Sequence, residues 1–352
     1  MITIALLPGD GVGEEVLAGP IRIARWLEDH GHLRCTGPWP LGASSYGASG
    51  DLSPESTLAA CDDADALLLG AVGDHPGVDL TGVRPELALI GLRERYDLRV
   101  SIRQVWRGTE APLTFVRNLL GGAYAAASKR QESDGTGPAS DLFELEPDRI
   151  RELAEIALGY IRRSPSAELV SVDKANLLAT SRLWRRVVSE VAEAADAPVR
   201  HVYVDRMAFE LGSLDCPESV ILTEGLFGDI LSDLASGRAG SIAMCSSASV
   251  NPHPPSGSRC AGLFEPVHGS APRRAGRDQV NPIGGYLALT ALLDWFPETA
   301  KWAPLVRDAL AVAVANGPLT YDMAPAGTTP VATSEFSARV DDAFWQLAEG
   351  AG

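Results

Sequence analysis

The sequence has no apolar run approaching the ~18 residues that a membrane-spanning helix needs, so nothing in it reads as a transmembrane segment. It has no basic, apolar leader either. Met1-Ile2-Thr3-Ile4 runs straight into an apolar strand, and the expectation is a soluble, cytoplasmic protein. Cysteine is scarce and scattered. Cys35, Cys61, Cys216, Cys245 and Cys260 form no C-x-x-C and are odd in number, which fits reduced thiols better than a disulfide framework or a zinc site. Positive charge is short as well: 30 Lys and Arg stand against 46 Asp and Glu. The net charge of −16 argues against a nucleic-acid or membrane-surface partner, since either would want a basic face. A Rossmann fingerprint is also missing. The turn Pro8-Gly9-Asp10-Gly11-Val12-Gly13 is not G-x-G-x-x-G, and its glycines read first as those of a tight turn.

What is present is a chain of 352 residues, long enough for two lobes, in which strands alternate with helices. Apolar runs at residues 2–7, 65–69, 169–172, 201–205 and 219–223 read as strands. Val16, Ile23, Ala24 and Leu27 predict a helix over 14–28, with Pro20 expected to kink it or shift its start. Pro147 opens a second helix with a stripe of Ile150, Leu153, Ile156, Ala157, Tyr160 and Ile161. A third carries Trp184, Val187, Val188 and Val191, with Thr180 or Ser181 as its expected N-cap. Residues 128–142 are polar and read as an exposed arm. This alternation predicts an α/β sheet with sites at strand ends.

Five sets of residues carry possible chemistry. Asp229 and Asp233 lie four apart in Phe227-Gly228-Asp229-Ile230-Leu231-Ser232-Asp233, so they share a face if a helix starts after Gly228. They fit a solvated face, or hard oxygen ligands for Mg²⁺ or Mn²⁺. Arg93, Arg103 and Arg117 each follow a hydrophobic residue; converging, they would suit a di- or tricarboxylate, and singly each fits a surface arginine. Tyr124 follows Gly121-Gly122-Ala123 and fits a cleft-facing phenol or a packed aromatic. Lys174 stands between a strand and a helix, where partial desolvation would lower its pKa toward that of a base. Asp205 is expected at the end of a strand.

Four motifs then occur in order: Leu7-Pro8-Gly9-Asp10-Gly11-Val12-Gly13, Val172-Asp173-Lys174-Ala175-Asn176, the stretch 227–233, and Glu265-Pro266-Val267-His268-Gly269-Ser270-Ala271-Pro272. Together they resemble the β-decarboxylating dehydrogenases that act on isopropylmalate, isocitrate, homoisocitrate and tartrate or D-malate. The resemblance implies a two-lobed α/β fold that is not Rossmann, with a mixed, twelve-stranded type of sheet. Residues 1–99 with 247–352 would form the large, cofactor-binding lobe, and 100–246 the dimerisation and metal lobe. Arg84-Pro85-Glu86 with Leu89 and Ile90 is most similar to the isopropylmalate branch. Those two apolar side chains would line the substrate's alkyl pocket and would leave a third carboxylate unpaired.

By the same resemblance, Arg93, Arg103 and Arg117 grip the malate carboxylates, and Asp205, Asp229 and Asp233 hold Mg²⁺ or Mn²⁺. Lys174 removes the C2 hydroxyl proton as hydride leaves for the nicotinamide, and Tyr124 protonates the enolate carbon after CO₂ departs. Lys174 and Asp205 would serve the neighbouring subunit's site in a homodimer. Glu86, Asn176, His268, Gly269, Ser270, Ala271, Pro272, Arg273, Arg274, Asn281 and Tyr321 would contact the cofactor. The implied reaction is oxidative decarboxylation of a 3-substituted malate, most simply 3-isopropylmalate in leucine synthesis. A non-catalytic homologue ranks below it, because Tyr124, Lys174 and the aspartates are all present.

The chain departs from the family pattern at four places. Gly225 stands where an Asn is usual, Asn118 and Leu120 replace Glu and Thr, and the segment from Arg103 to Arg117 is short. Arg273-Arg274 replaces the acidic residue that accepts from the adenosine ribose in NAD enzymes. Two cations there, with Tyr321-Asp322 nearby in sequence type, favour NADP over NAD, although Pro325 stands where a further basic residue is expected.

Overall fold

The computed structural model describes residues 1–108, 110–124, 130–131, 136–213 and 216–351. In chain order its strands are β1 (Thr3–Gly9), β2 (Arg34–Thr36), β3 (Ala66–Ala71), β4 (Val100–Arg107), β5 (Glu110–Asn118), β6 (Arg130–Gln131), β7 (Ser140–Asp141), β8 (Glu168–Asp173), β9 (Val199–Tyr203), β10 (Ser219–Thr223), β11 (Cys245–Val250) and β12 (Gly262–Pro266). The helices are α1 (Gly13–Asp29), α2 (Ala43–Ser49), α3 (Glu55–Asp62), α4 (Glu86–Arg95), α5 (Pro147–Arg163), α6 (Ala179–Ala194), α7 (Val204–Gly212), α8 (Gly225–Arg238), α9 (Ile283–Trp295), α10 (Ala303–Ala315) and α11 (Thr333–Ala351). The chain divides into two compact units, Met1–Leu98 with Gly240–Gly352, and Arg99–Ala239.

In the first unit the strand order is β2-β1-β3-β12-β11. The first four run parallel and β11 pairs antiparallel with β12. Every residue of β3 is buried, which is why its sequence is a continuous apolar run instead of an alternation. The turn after β1 is a tight one, as its glycines predicted. Gly9 and Gly11 have φ of +75° and +58°, and a Cβ on Gly9 would lie 1.9 Å from the Ala71 carbonyl oxygen. The buried Asp10 carboxylate accepts from the amides of Ala43, Ser44 and Gly73 and so pins two segments, the start of α2 and the stretch after β3, to this turn.

Pro20 lies inside a continuous α1 that begins at Gly13, so it does not shift the start of the helix. Proline removes the hydrogen bond to the Val16 carbonyl, and the structure fills that gap from outside. Gly285 of α9 packs so closely that a Cβ on it would sit 2.5 Å from the Val16 oxygen, and one on Gly19 would sit 1.9 Å from the Tyr286 hydroxyl. Across the same contact, buried Tyr286 donates to Asp341 of α11 at 2.8 Å, and Arg22 of α1 pairs with Asp341 at 2.6 Å. Burial outweighs both partners and holds the Asp341 carboxyl above the ordinary carboxylate range. The folded chain therefore binds this proton more tightly than the unfolded one, so the group's contribution to stability falls as pH rises through that range. Urea melts across about pH 4 to 8 should show wild type losing ground to Asp341→Asn as pH rises. A gap that stays flat, or moves in favour of wild type, contradicts the assignment.

In the second unit the order is β4-β5-β10-β8-β9, with β5, β10, β8 and β9 parallel and β4 antiparallel to β5. The short segment between Arg103 and Arg117 is thus a hairpin. Of the expected exposed arm, 130–131 and 136–142 are described: β6 and β7 pair antiparallel, and 136–142 are exposed. Three local expectations are corrected. Helix α8 starts at Gly225, before Gly228, because the buried Glu224 carboxylate caps it by accepting from Leu226 and Phe227. Leu178, instead of Thr180 or Ser181, precedes α6, and no side chain caps it. Asp205 lies in the first turn of α7, where a carboxylate meets the positive helix end, instead of at a strand end.

All five cysteines are free, and burial pushes the thiols of Cys35, Cys61 and Cys260 up to about 12. Among the described residues no helix is long and apolar enough to cross a membrane.

Candidate active site

The β4–β5 register sets the first half of the site. Ser101 faces Arg117 and Arg103 faces Phe115, so Arg103 and Arg117 lie on the same side of the hairpin as diagonal neighbours. Helix α8 presents Asp229 and Asp233 to them. Arg117 lies 2.8 Å from Asp229, and Arg103 reaches both carboxylates, at 3.1 Å for Asp229 and 2.8 Å for Asp233. Arg103 also donates to the Ser232 hydroxyl, and Arg117 to the Gly225 carbonyl. Arg117 is buried and Arg103 partly buried, while the carboxylates are open to solvent on their outer side. Two like charges four residues apart repel unless a cation compensates them, and here the arginines do so. Gly228 makes the approach possible, since a Cβ there would meet Arg117 and Thr223 at 2.9 Å.

A second cluster in this unit joins Lys174 and Asp205. Lys174 follows β8 and is partly buried, and its ammonium donates to the Asp205 carboxylate. That ammonium holds the Asp205 carboxyl below the usual carboxylate range. Asn176 is exposed in the turn that Lys174 closes by accepting from Leu177 and Leu178. Tyr124 ends a short 3-10 turn, Gly122–Tyr124, and its side chain lies outside the described residues. Among the described residues no group of three or more His, Cys, Asp or Glu converges, so Asp205 does not join Asp229 and Asp233 within one chain.

In the first unit, α4 places Glu86, Leu89, Ile90 and Arg93 at three- and four-residue spacing, hence on one face. Leu89 packs against the core beneath while Ile90 and Glu86 are exposed. Arg93 pairs with Glu265 at the end of β12, at 2.7 Å, with both groups largely buried. The following loop is held under strain. Ala271 has φ of +40°, and the Ser270 carbonyl accepts from Val12 so closely that a Cβ on Gly11 would lie 2.0 Å away. His268 has Nδ1 3.0 Å from the Gly269 carbonyl, its Nε2 is buried with no partner among the described residues, and burial holds its pKa down. Gly269 and Arg273 are exposed, Pro272 is partly so, and the Arg274 guanidinium stacks 3.8 Å over the Tyr321 ring. Asn281 uses both ends of its amide internally, donating to Asp322 at 3.0 Å and accepting from Ile283. It therefore positions the turn that carries Tyr321.

The family profile for isocitrate/isopropylmalate dehydrogenase matches residues 3–340. The chain belongs to that family. The 3-isopropylmalate dehydrogenases of Salinibacter ruber and Geobacillus kaustophilus are each 37% identical to it, over 96% and 94% of this chain and 94% and 92% of theirs. A crystal structure of a beta-decarboxylating dehydrogenase from Thermococcus kodakarensis, in its apo form, superposes with a TM-score of 0.82 at 31% identity, covering 99% of this chain and 98% of that one. The chain is therefore an enzyme, a decarboxylating hydroxy-acid dehydrogenase with the mixed α/β fold its motifs implied.

In this dehydrogenase the structure brings Arg103, Arg117, Asp229 and Asp233 together, and separately Lys174 with Asp205. Sequence reasoning missed Glu265 as the partner of Arg93 and Glu224 as the helix cap. Glu265 stood inside a quoted motif, so a signal was present. Glu224 gave none, because side-chain caps are usually Ser, Thr, Asp or Asn.

Proposed function

We propose that this dehydrogenase catalyses the divalent-metal-dependent oxidative decarboxylation of a 3-alkylmalate, most simply 3-isopropylmalate to 4-methyl-2-oxopentanoate. The observation that carries the reading is the charge arrangement on α8 and the hairpin: two guanidiniums, one buried and one partly buried, beside two solvent-open carboxylates. That set is neutral alone. It stays neutral when a malate dianion takes the guanidiniums and a divalent cation takes the carboxylates. The donors are hard oxygens, which fits Mg²⁺ or Mn²⁺. When bound, such an ion would lower the C2 hydroxyl pKa and stabilise the enolate left by CO₂.

This chain's own groups do the rest. Arg103 and Arg117, with Arg93, orient the two carboxylates. Lys174 accepts the C2 hydroxyl proton, and Tyr124 returns a proton to the enolate carbon. Leu89 and Ile90 offer an apolar wall to the 3-substituent, where a third carboxylate would be desolvated. The relatives named 3-isopropylmalate dehydrogenase, at 37% identity, support this substrate class. For the cofactor, Gly269 to Pro272 supply backbone, Glu86 and Asn176 stand exposed, and the buried Nε2 of His268 awaits a partner. Arg274 on Tyr321, beside exposed Arg273, favours the 2′-phosphate of NADP.

Two features support a homodimer. The third acidic ligand, Asp205, is absent from the Asp229–Asp233 pair within one chain. Next to that pair, Leu226, Ile230 and Leu234 form an apolar stripe along α8, with Ile230 61% exposed and Phe209 of α7 68% exposed. A second copy covering the stripe would bury it and deliver Asp205 and Lys174.

A substrate-by-cofactor matrix tests the reading. With Mg²⁺, racemic 3-isopropylmalate should support faster reduction than isocitrate or D-malate, NADP⁺ should give the higher kcat/KM, and Arg273→Asp should swing the preference toward NAD⁺. No reduction with any malate derivative would sink the enzymatic reading; a wild-type preference for NAD⁺ would sink the cofactor argument.

A further inference from the structure

Lys174 is useful only if its amine is held at the reacting hydroxyl, and the ordering of its backbone is traceable to one buried carboxylate. Asp173, the last residue of β8, is 1% exposed. Its Oδ1 accepts from the Ala175 amide at 2.8 Å, so the side chain ties down the peptide on the far side of Lys174. Both oxygens also accept from Arg185 of α6, Oδ2 from Nε at 2.8 Å and Oδ1 from Nη2 at 3.0 Å. This is the two-pronged geometry that only arginine supplies.

The same guanidinium lies 5.2 Å over the Tyr203 ring, and the Lys174 ammonium lies 6.0 Å from that ring. Tyr203 is the register partner of Asp173 across β8 and β9, and it directly precedes α7, which carries Asp205. Arg185 therefore connects the two segments that bring Lys174 and Asp205 into contact. A long, partly exposed side chain is given up to a buried carboxylate here, and the groups it organises are those on either side of Lys174.

We propose that Arg185, acting through Asp173 and Tyr203, is a positioning residue that sets the placement of Lys174 and Asp205 for proton transfer. The inference rests on the reading of Lys174 as the base. Arg185 is placed on no substrate group, so its loss acts on turnover more than on substrate affinity. Displacement of a catalytic group by about 1 Å can cost on the order of 100-fold in rate.

The experiment is steady-state kinetics on the full chain with thermal melts, for Arg185→Gln, Arg185→Lys and Asp173→Asn. Arg185→Gln should lower kcat roughly 10- to 100-fold while KM for the malate stays within about threefold. Arg185→Lys keeps a cation beside Asp173 but loses the fork. It should recover most of the melting temperature and leave kcat low, which also keeps the inference testable if Arg185→Gln does not fold. Asp173→Asn should match the loss in kcat, and the double variant Asp173→Asn with Arg185→Lys should be no slower than the worse single one. Wild-type kcat in Arg185→Lys, or losses in kcat that simply track losses in melting temperature, would overturn the positioning role. Lys174→Met, run alongside, separates the two claims. If it keeps wild-type turnover, the reading of Lys174 as the base fails; if it is inactive while the Arg185 variants turn over normally, only the positioning role fails.

Discussion

Replacing Lys174 by methionine should lower kcat between about a hundredfold and ten-thousandfold, with little change in KM for the malate. That is the usual worth of a positioned general base, and methionine keeps the length of the stem while removing the amine. The expectation follows from where Lys174 sits. It stands directly after β8, is partly buried, and meets one described counter-ion, Asp205, through its ammonium. The arginines assigned to substrate carboxylates lie on other elements, so binding should survive. Initial rates at saturating substrate decide the matter. A kcat within a few-fold of wild type would remove Lys174 from the mechanism, and a large rise in KM with unchanged kcat would recast it as a binding group.

The second large effect is expected at Asp229. Its carboxylate is the one that both Arg103 and Arg117 touch. Asparagine in its place removes a charge from the proposed ligand set and leaves two guanidiniums against the single carboxylate of Asp233. Half-maximal activity should then need at least about tenfold more Mg²⁺, and kcat/KM should fall by on the order of 100-fold or more. Titrations of activity against Mg²⁺ give both numbers. An unchanged Mg²⁺ requirement would show that the α8 carboxylates are not ligands. The same two variants test the shared site. Each should be nearly inactive alone, yet in a mixed dimer one site would combine the intact Asp229 of one copy with the intact Lys174 of the other. Re-associated mixtures should therefore regain up to about a quarter of wild-type activity, half of the dimers being mixed and half of their sites whole. No recovery from mixtures shown to exchange subunits would place the site within one copy.

Legibility in the sequence followed the range of the interaction. The strand before Lys174, the amphipathic helix opened by Pro147 and the tight turn at Gly9 and Gly11 are set by local pattern and backbone chemistry, and each could be read directly. Partner choice could not. Arg93 finds Glu265 across 172 residues and Arg103 finds Asp233 across 130, and nothing in the local sequence of either arginine names its carboxylate. The sequence assigns the arginines to substrate and the aspartates to metal, and their pairing with each other is not legible in it.

Errors at helix boundaries had a common physical source. The sequence places the helix start after Gly228, but Gly228 lies inside α8, where a Cβ would meet Arg117 and Thr223 at 2.9 Å. Pro20 is expected to kink α1 or shift its start; the helix begins at Gly13 and runs through it, with Gly285 of α9 packed against the Val16 carbonyl that the proline frees. In both cases tertiary packing decided what local propensity left open.

The central claim is that one site both oxidises and decarboxylates. The most direct measurement follows CO₂ and reduced cofactor together from 3-isopropylmalate, Mg²⁺ and NADP⁺ or NAD⁺ in one reaction. Equal amounts of CO₂ and reduced nicotinamide, both abolished by Lys174→Met, are the predicted result. Reduction without CO₂, or no reduction from any 3-substituted malate, would contradict it.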